Sequence, residues 1–246
     1  MITGLYSAAT AMDASVRRHE VASENLANIQ MPGFRRRMIS QTTFDTAVSA
    51  LDSSSDGSAA SKLLGTTTGP VKIDFTQGSL EETKRPLDTA ISGDGFFTVQ
   101  GPDGPLYTRN GSFHVRPDGA LTTIDHLPVL GNGRPIMLPA GTNSEGIDIS
   151  RDGRMYSNGQ EFAQLDVVEF SDTSVLTPVG ASLFSAPRDA SIQPSSAEVL
   201  QGTLELANTS SINELINIIA GQRNFEASQK ALNTIAESVQ RRIGIR

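Results

Sequence analysis

The sequence predicts an α+β protein. Long N- and C-terminal helices pair as a coiled-coil-like layer, and an antiparallel all-β domain lies between them in the chain. Three observations carry this reading. Apolar residues near both termini recur at alternating steps of four and three, the seam of a narrow helix–helix contact. Asp-Gly and Asn-Gly dipeptides punctuate the middle of the chain, with short apolar or alternating runs between them. No proline interrupts residues 208–246.

The elements follow in order. Leu5, Ala9, Met12, Val16, His19, Ser23 and Leu26 fall on one helical seam, and five of the seven are apolar. Residues 1–30 are therefore expected to be helical, with Pro32 ending the helix because the residue before proline is pushed out of the helical region. Asn25 and Asn28 share a flank beside the seam. They are expected to make polar contacts that fix helix register or neighbour pairing, solvated side chains being the alternative. Pro32-Gly33 predicts a sharp exit, with Phe34 anchoring the segment that follows. Arg35, Arg36 and Arg37 read either as a solvated patch or as partners of acidic groups or nucleic acid. The net charge of −7 and the lack of interleaved aromatics argue against nucleic acid. Residues 31–69 read as a linker or extended segment, with a Ser-rich stretch at 49–61.

Residues 70–207 form the β domain of this reading. Its runs include FFTVQ, LYTRN, SFHV, ALTT, IDIS and EFAQLDVVEF. Residues 208–246 return to helix. Ser211 and Glu214 have capping-box spacing. The seam then runs Leu215, Ile218, Gln222, Phe225, Gln229, Leu232, Ala236, Val239 and Ile243, seven of nine apolar. Arg241 and Arg242 suit the negative end of the helix dipole. About 30 residues give a rod of roughly 45 Å, and Gly221 weakens it by about 1 kcal/mol relative to alanine. The two seams are expected to pair with each other or with other subunits; docking onto the β domain is the alternative.

The chemistry expected of this chain is sparse. It has no cysteine, which excludes disulfides, a thiolate metal site and a thiol nucleophile. The three histidines, His19, His114 and His126, lack ligand spacing. Asp94, Asp103, Asp118 and Asp152 each precede glycine, where aspartate caps a turn. SGDGFF lacks the third glycine and the helix of a dinucleotide loop. The expectation is therefore no enzyme, no catalytic residue, no cofactor and no metal. The first residues lack the basic and apolar regions of a cleaved signal, and no apolar run reaches membrane-spanning length. The chain is expected to be cytosolic or to leave the cell without a cleaved leader, and not to insert in a membrane.

NLAN followed by PGF and a basic residue resembles the start of the bacterial flagellar axial proteins, the rod and hook group. RPLDTAISGDGFFTVQGPDGPLYTRNGSFHVRPDGAL resembles their β domain, and LELANTSSINELINIIAGQRNFEASQKAL their C-terminal segment. Length, RPLD and YTRNG look most like the proximal-rod type, with a distal rod or short hook-type protein as alternatives. The resemblance implies a structural subunit of a hollow, torque-transmitting rod that crosses the periplasm. Its partners would be other rod and hook-family subunits, further copies of itself and the flagellar type III export apparatus. It implies assembly contacts through Leu5, Met12, Val16, Leu26, Asn25, Asn28, Leu215, Ile218, Phe225, Leu232 and Val239. It also implies a joint and export motif at Pro32, Gly33, Phe34 and Met38. A secreted β-domain binding protein or enzyme with helical appendages is the reading from another class.

Overall fold

In the computed structural model, the structure describes residues 2–43, 66–139, 141–142 and 146–243. The Ser-rich stretch 49–61 lies outside the described residues. The chain divides into two compact units, each assembled from separated pieces of sequence. The helical unit comprises Met1–Ala27, Arg37–Ile73 and Ser210–Arg246; the β unit comprises Asn28–Arg36 and Asp74–Thr209.

In the helical unit, α1 runs Ile2–Ala27 and α2 runs Ser211–Ile243. α1 stops earlier than Pro32 requires, because the chain turns at once, with the Met31 amide donating to Asn28 O at 3.0 Å. α2 opens with the Glu214 amide donating to Ser210 O at 3.0 Å. The helices are antiparallel and in contact. A β-carbon at Gly4 would lie 3.4 Å from Ile235, and one at Gly221 would lie 3.7 Å from Ser15 O and 3.8 Å from His19 Cβ. Gly221, read as a weak point, is thus a point of close approach.

The stretch read as a linker contains structure. Arg37–Thr43 pairs antiparallel with Thr66–Ile73, with a register shift between Ile39 and Gln41, and this ribbon also packs on α1. Its sequence, RMISQTT against TTTGPVKI, is rich in β-branched residues that suit a pleated surface. The Ser-rich composition between the strands masked that signal.

The β unit is built largely from antiparallel hairpins. Its main sheet has six strands in the order 177–178, 183–185, 105–108, 96–100, 167–170 and 192–194. FFTVQ is the strand Phe96–Gln100. EFAQLDVVEF splits into Gln160–Gln164 and Val167–Phe170. The break falls where the Asp166 carboxylate accepts the Asn132 and Gly133 amides, each at 2.8 Å. Asn132-Gly133 and Asn158-Gly159 have φ of 52° and 72°, and 52° and 78°. Positive φ at both turn residues matches the twist of the flanking strands, which is why Asn-Gly stands there. The core joins Leu87, Ile91, Phe97, Val99, Phe113 and Leu121 to Ile147, Met155, Leu165 and Val199. Beside it an edge-to-face cluster links Phe75, Phe96, Phe170, Phe184 and Tyr107, with centroid separations between 4.8 and 6.1 Å.

Candidate assembly surface and helix joint

The joint is built where α1 ends. Asn25 is buried, and its side-chain amide clasps the backbone of Arg37: Oδ1 accepts the Arg37 amide and Nδ2 donates to Arg37 O, both at 2.8 Å. One side chain thus satisfies both polar groups of a residue entering a strand. The Arg37 guanidinium pairs with Glu24. Asn28 lies at the turn, where its carbonyl takes the Met31 amide.

Gly33 has φ of 70° and is packed so tightly that a β-carbon would lie 2.3 Å from Asn110 N and 2.4 Å from Arg109 C. Only glycine combines that backbone with that space. The Gly33 amide donates to Glu205 O at 2.7 Å. Phe34 is fully buried, whereas Met38 is 40% exposed.

Arg35 follows the second of its two readings, a partner of an acidic group, but inside the chain: its side chain is fully buried, and Nη2 donates to Glu205 Oε1 at 2.7 Å. Arg109 Nη1 reaches Glu205 Oε2 at 3.4 Å, and the Gly78 amide donates to Oε1 at 2.8 Å. The Arg109 guanidinium also sits 5.2 Å from the Phe96 ring centroid. Desolvation lowers its pKa to about 10, with Glu205 opposing that fall and Arg35 adding to it. At neutral pH it stays cationic, so two arginines share one buried carboxylate. Arg35 Nε and Nη1 and Arg109 Nε have no hydrogen-bond partner among the described residues. One step along, the Arg36 amide donates to Asn208 Oδ1 at 2.7 Å, while Asn208 Nδ2 donates to Asp74 O and Thr76 O at 2.8 and 2.9 Å.

The structure places the seam residues as follows. Leu5 and Val16 are 41% and 42% exposed, and Met12 and Leu26 are half-buried. The side of α1 that meets α2 passes through His19, which is on the seam, and through Gly4 and Ser15, each one residue before a seam position. Small side chains there let the two backbones approach. On α2, Ile218, Phe225 and Leu232 are half-buried, while Leu215 is 48% exposed. The Val239 side chain lies outside the described residues.

Two properties of this unit decide what it can do. No apolar side chain larger than alanine is fully buried among its described residues: the buried set is Ala8, Ala14, Ser15, Ala22, Asn25, Glu214 and Gly221. Ile212, Leu215, Ile216 and Ile219, one stripe at helical spacing, are 68%, 48%, 57% and 52% exposed. The periodicity signal was present in the sequence; which seam faces inward depends on backbone approach, which periodicity does not encode.

The β unit also carries an open groove of about 1150 Å³, lined by residues such as Gln100, Arg151, Asp152, Gln164, Asp166 and Glu198. Its carboxylates are engaged locally: Asp152 pairs with Arg154 at 2.9 Å, Glu198 with Arg151 at 3.5 Å, and Asp166 holds the Asn132–Gly133 turn.

Comparison with known proteins matches both units. Residues 90–157 match the family described as flagellar hook protein FlgE/F/G D1 domain, and residues 200–243 match flagellar basal body rod FlgEFG protein C-terminal. The chain is 33% identical to the flagellar basal-body rod protein FlgG of Buchnera aphidicola subsp. Acyrthosiphon pisum, over 98% of each chain. It is 28% identical to FlgG of Bacillus subtilis over 100% of both. It is 31% identical to the rod protein FlgF of Salmonella typhimurium, over 95% of this chain and 94% of the relative. With relatives above 30% identity matched almost end to end, the chain belongs to the flagellar basal-body rod protein family.

Proposed function

We infer that this chain is a structural subunit of the flagellar basal-body rod, joined to other axial subunits through its helical unit. One observation carries the reading: among its described residues the helical unit buries no large apolar side chain, yet it exposes the Ile212–Leu215–Ile216–Ile219 stripe. Exposed apolar stripes on helices mark protein–protein contact. Their burial against neighbouring helices would provide the apolar contact this unit lacks internally, at about 25 cal/mol per Å². Repeated contacts that do not close into a ring build a tube rather than a dimer. The test is a cell whose only copy lacks residues 211–243. No rod or rotating flagellum should form, and normal swimming would overturn the reading.

Export through the flagellar type III apparatus, and placement of the rod across the periplasm, belong to the same proposal. Phe34 is fully buried once the chain folds, so a motif of Phe34 and Met38 is readable only in the unfolded chain. Met38 is the informative position, because its exposure lets it be changed without touching the fold. Met38→Ala should cut secretion into the medium several-fold while intracellular level and stability hold. Secretion at the wild-type level removes the export role from this motif.

A further inference from the structure

Two segments of the β unit lie next to the helices in the chain: 28–36 follows α1 and 205–209 precedes α2. Inside the β unit these segments are fastened directly to each other at three successive points. The Gly33 amide bonds Glu205 O at 2.7 Å, the Arg35 side chain bonds the Glu205 carboxylate at 2.7 Å, and the Arg36 amide bonds Asn208 Oδ1 at 2.7 Å. Arg109 and the Gly78 amide then tie Glu205 to the rest of the unit. We propose that this buried Arg35–Glu205–Arg109 cluster is a mechanical lock: it clamps the outgoing and returning strands of chain together so that load arriving along either helix enters the β unit at one point.

The energetics favour a mechanical over a purely stabilising role. Burying two arginines around one carboxylate, with three guanidinium nitrogens unpartnered among the described residues, is a poor source of folding stability beside an apolar core. What such a cluster supplies is direction: planar guanidinium groups hold a carboxylate in a fixed geometry. Because the side chains of Arg35 and Glu205 are 0% exposed, salt does not screen them. A pull between the ends of α1 and α2 reaches the Asn208 tie first and then Glu205, the end residue of the strand pair 203–205 with 80–82, so the ties take load before the rest of that pair and before 89–92 with 198–201. Without the lock, those short pairs would open one after another.

The proposal rests on the rod-subunit reading for its biological meaning, but its test does not. The chain has no cysteine, so Ala27→Cys and Ser210→Cys supply unique handles in the full-length protein. Held at constant force between those handles, the wild-type lock should open at a rate that is the same at about 0.1 M and about 1 M salt. Glu205→Gln and Arg35→Lys should each raise that rate more than about tenfold. Arg151→Gln, which breaks an exposed pair with Glu198, should leave it unchanged. Amide exchange at Phe97–Val99 verifies in each variant that the core is folded. Unchanged opening in a folded Glu205→Gln or Arg35→Lys variant overturns the lock, as does an equal rise in Arg151→Gln or a strong salt dependence. Failure of the rod reading would show instead as a chain with an intact lock that never enters a rod.

Discussion

At the scale of single residues, the joint is specified by side chains that satisfy backbone. Asn25 carries both a donor and an acceptor to Arg37, so no shorter or singly functional side chain replaces it. Asn25→Ala should cost about 2 kcal/mol by leaving a partly buried N–H and C=O without the side chain that pairs them. Asn25→Asp should be at least as damaging, because its carboxylate faces the Arg37 carbonyl. Urea unfolding followed by helix signal measures both, and wild-type midpoints would remove the clasp. Gly33→Ala should cost more than about 3 kcal/mol, since the new β-carbon meets backbone that cannot move aside. These two positions were partly legible: Pro-Gly announced a turn, and the paired asparagines announced polar contact, though for helix register or neighbour pairing and not for the Arg37 backbone that Asn25 holds. The Arg35–Glu205 bond was not. Its partners are 170 residues apart, and nothing local distinguishes the buried arginine from the two that follow it.

At the scale of elements, the helices separate two roles that one periodic seam had merged. Leu232 lies half-buried, on the same α2 face as Gly221, which meets α1. Ile216 is 57% exposed and available for a neighbour. Leu232→Asp should therefore destabilise the monomer by about 1–3 kcal/mol and also block assembly. Ile216→Glu should leave monomer stability within about 0.5 kcal/mol and block assembly alone. Thermal unfolding of the purified chain, set beside a swimming assay, reads the two effects separately. Equal loss of monomer stability in both variants would mean that Ile216 belongs to the internal contact. The β elements were more legible than the helical faces, because turn chemistry is local. Asn132-Gly133 and Asn158-Gly159 each encode their own backbone twist. The ribbon 37–43 with 66–73 was missed because its two strands are separated by a Ser-rich stretch that reads as linker.

At the scale of the molecule, the two units differ in kind. The β unit closes around Phe97, Val99, Phe113, Leu121 and Met155, all at most 1% exposed, while among its described residues the helical unit buries nothing apolar beyond alanine. Burial of a large apolar side chain contributes about 1.5–3 kcal/mol, and alanine much less. Helices depend on packing rather than propensity for most of their stability. The isolated chain should therefore behave as a stable β unit with a helical unit that opens at low free energy. Hydrogen exchange on the purified monomer makes this quantitative. Amides of α2 between Ile218 and Leu232 should exchange at least about a hundredfold faster than those of Phe97–Val99, a gap of ~3 kcal/mol or more in opening free energy. In assembled rods the same α2 amides should gain protection while those of the β core change little, because only the helical unit acquires new apolar neighbours. Equal protection of α2 and the β core in the monomer would mean that the helix pair is complete alone. The exposed stripe would then lose its claim to be the surface on which the rod is built.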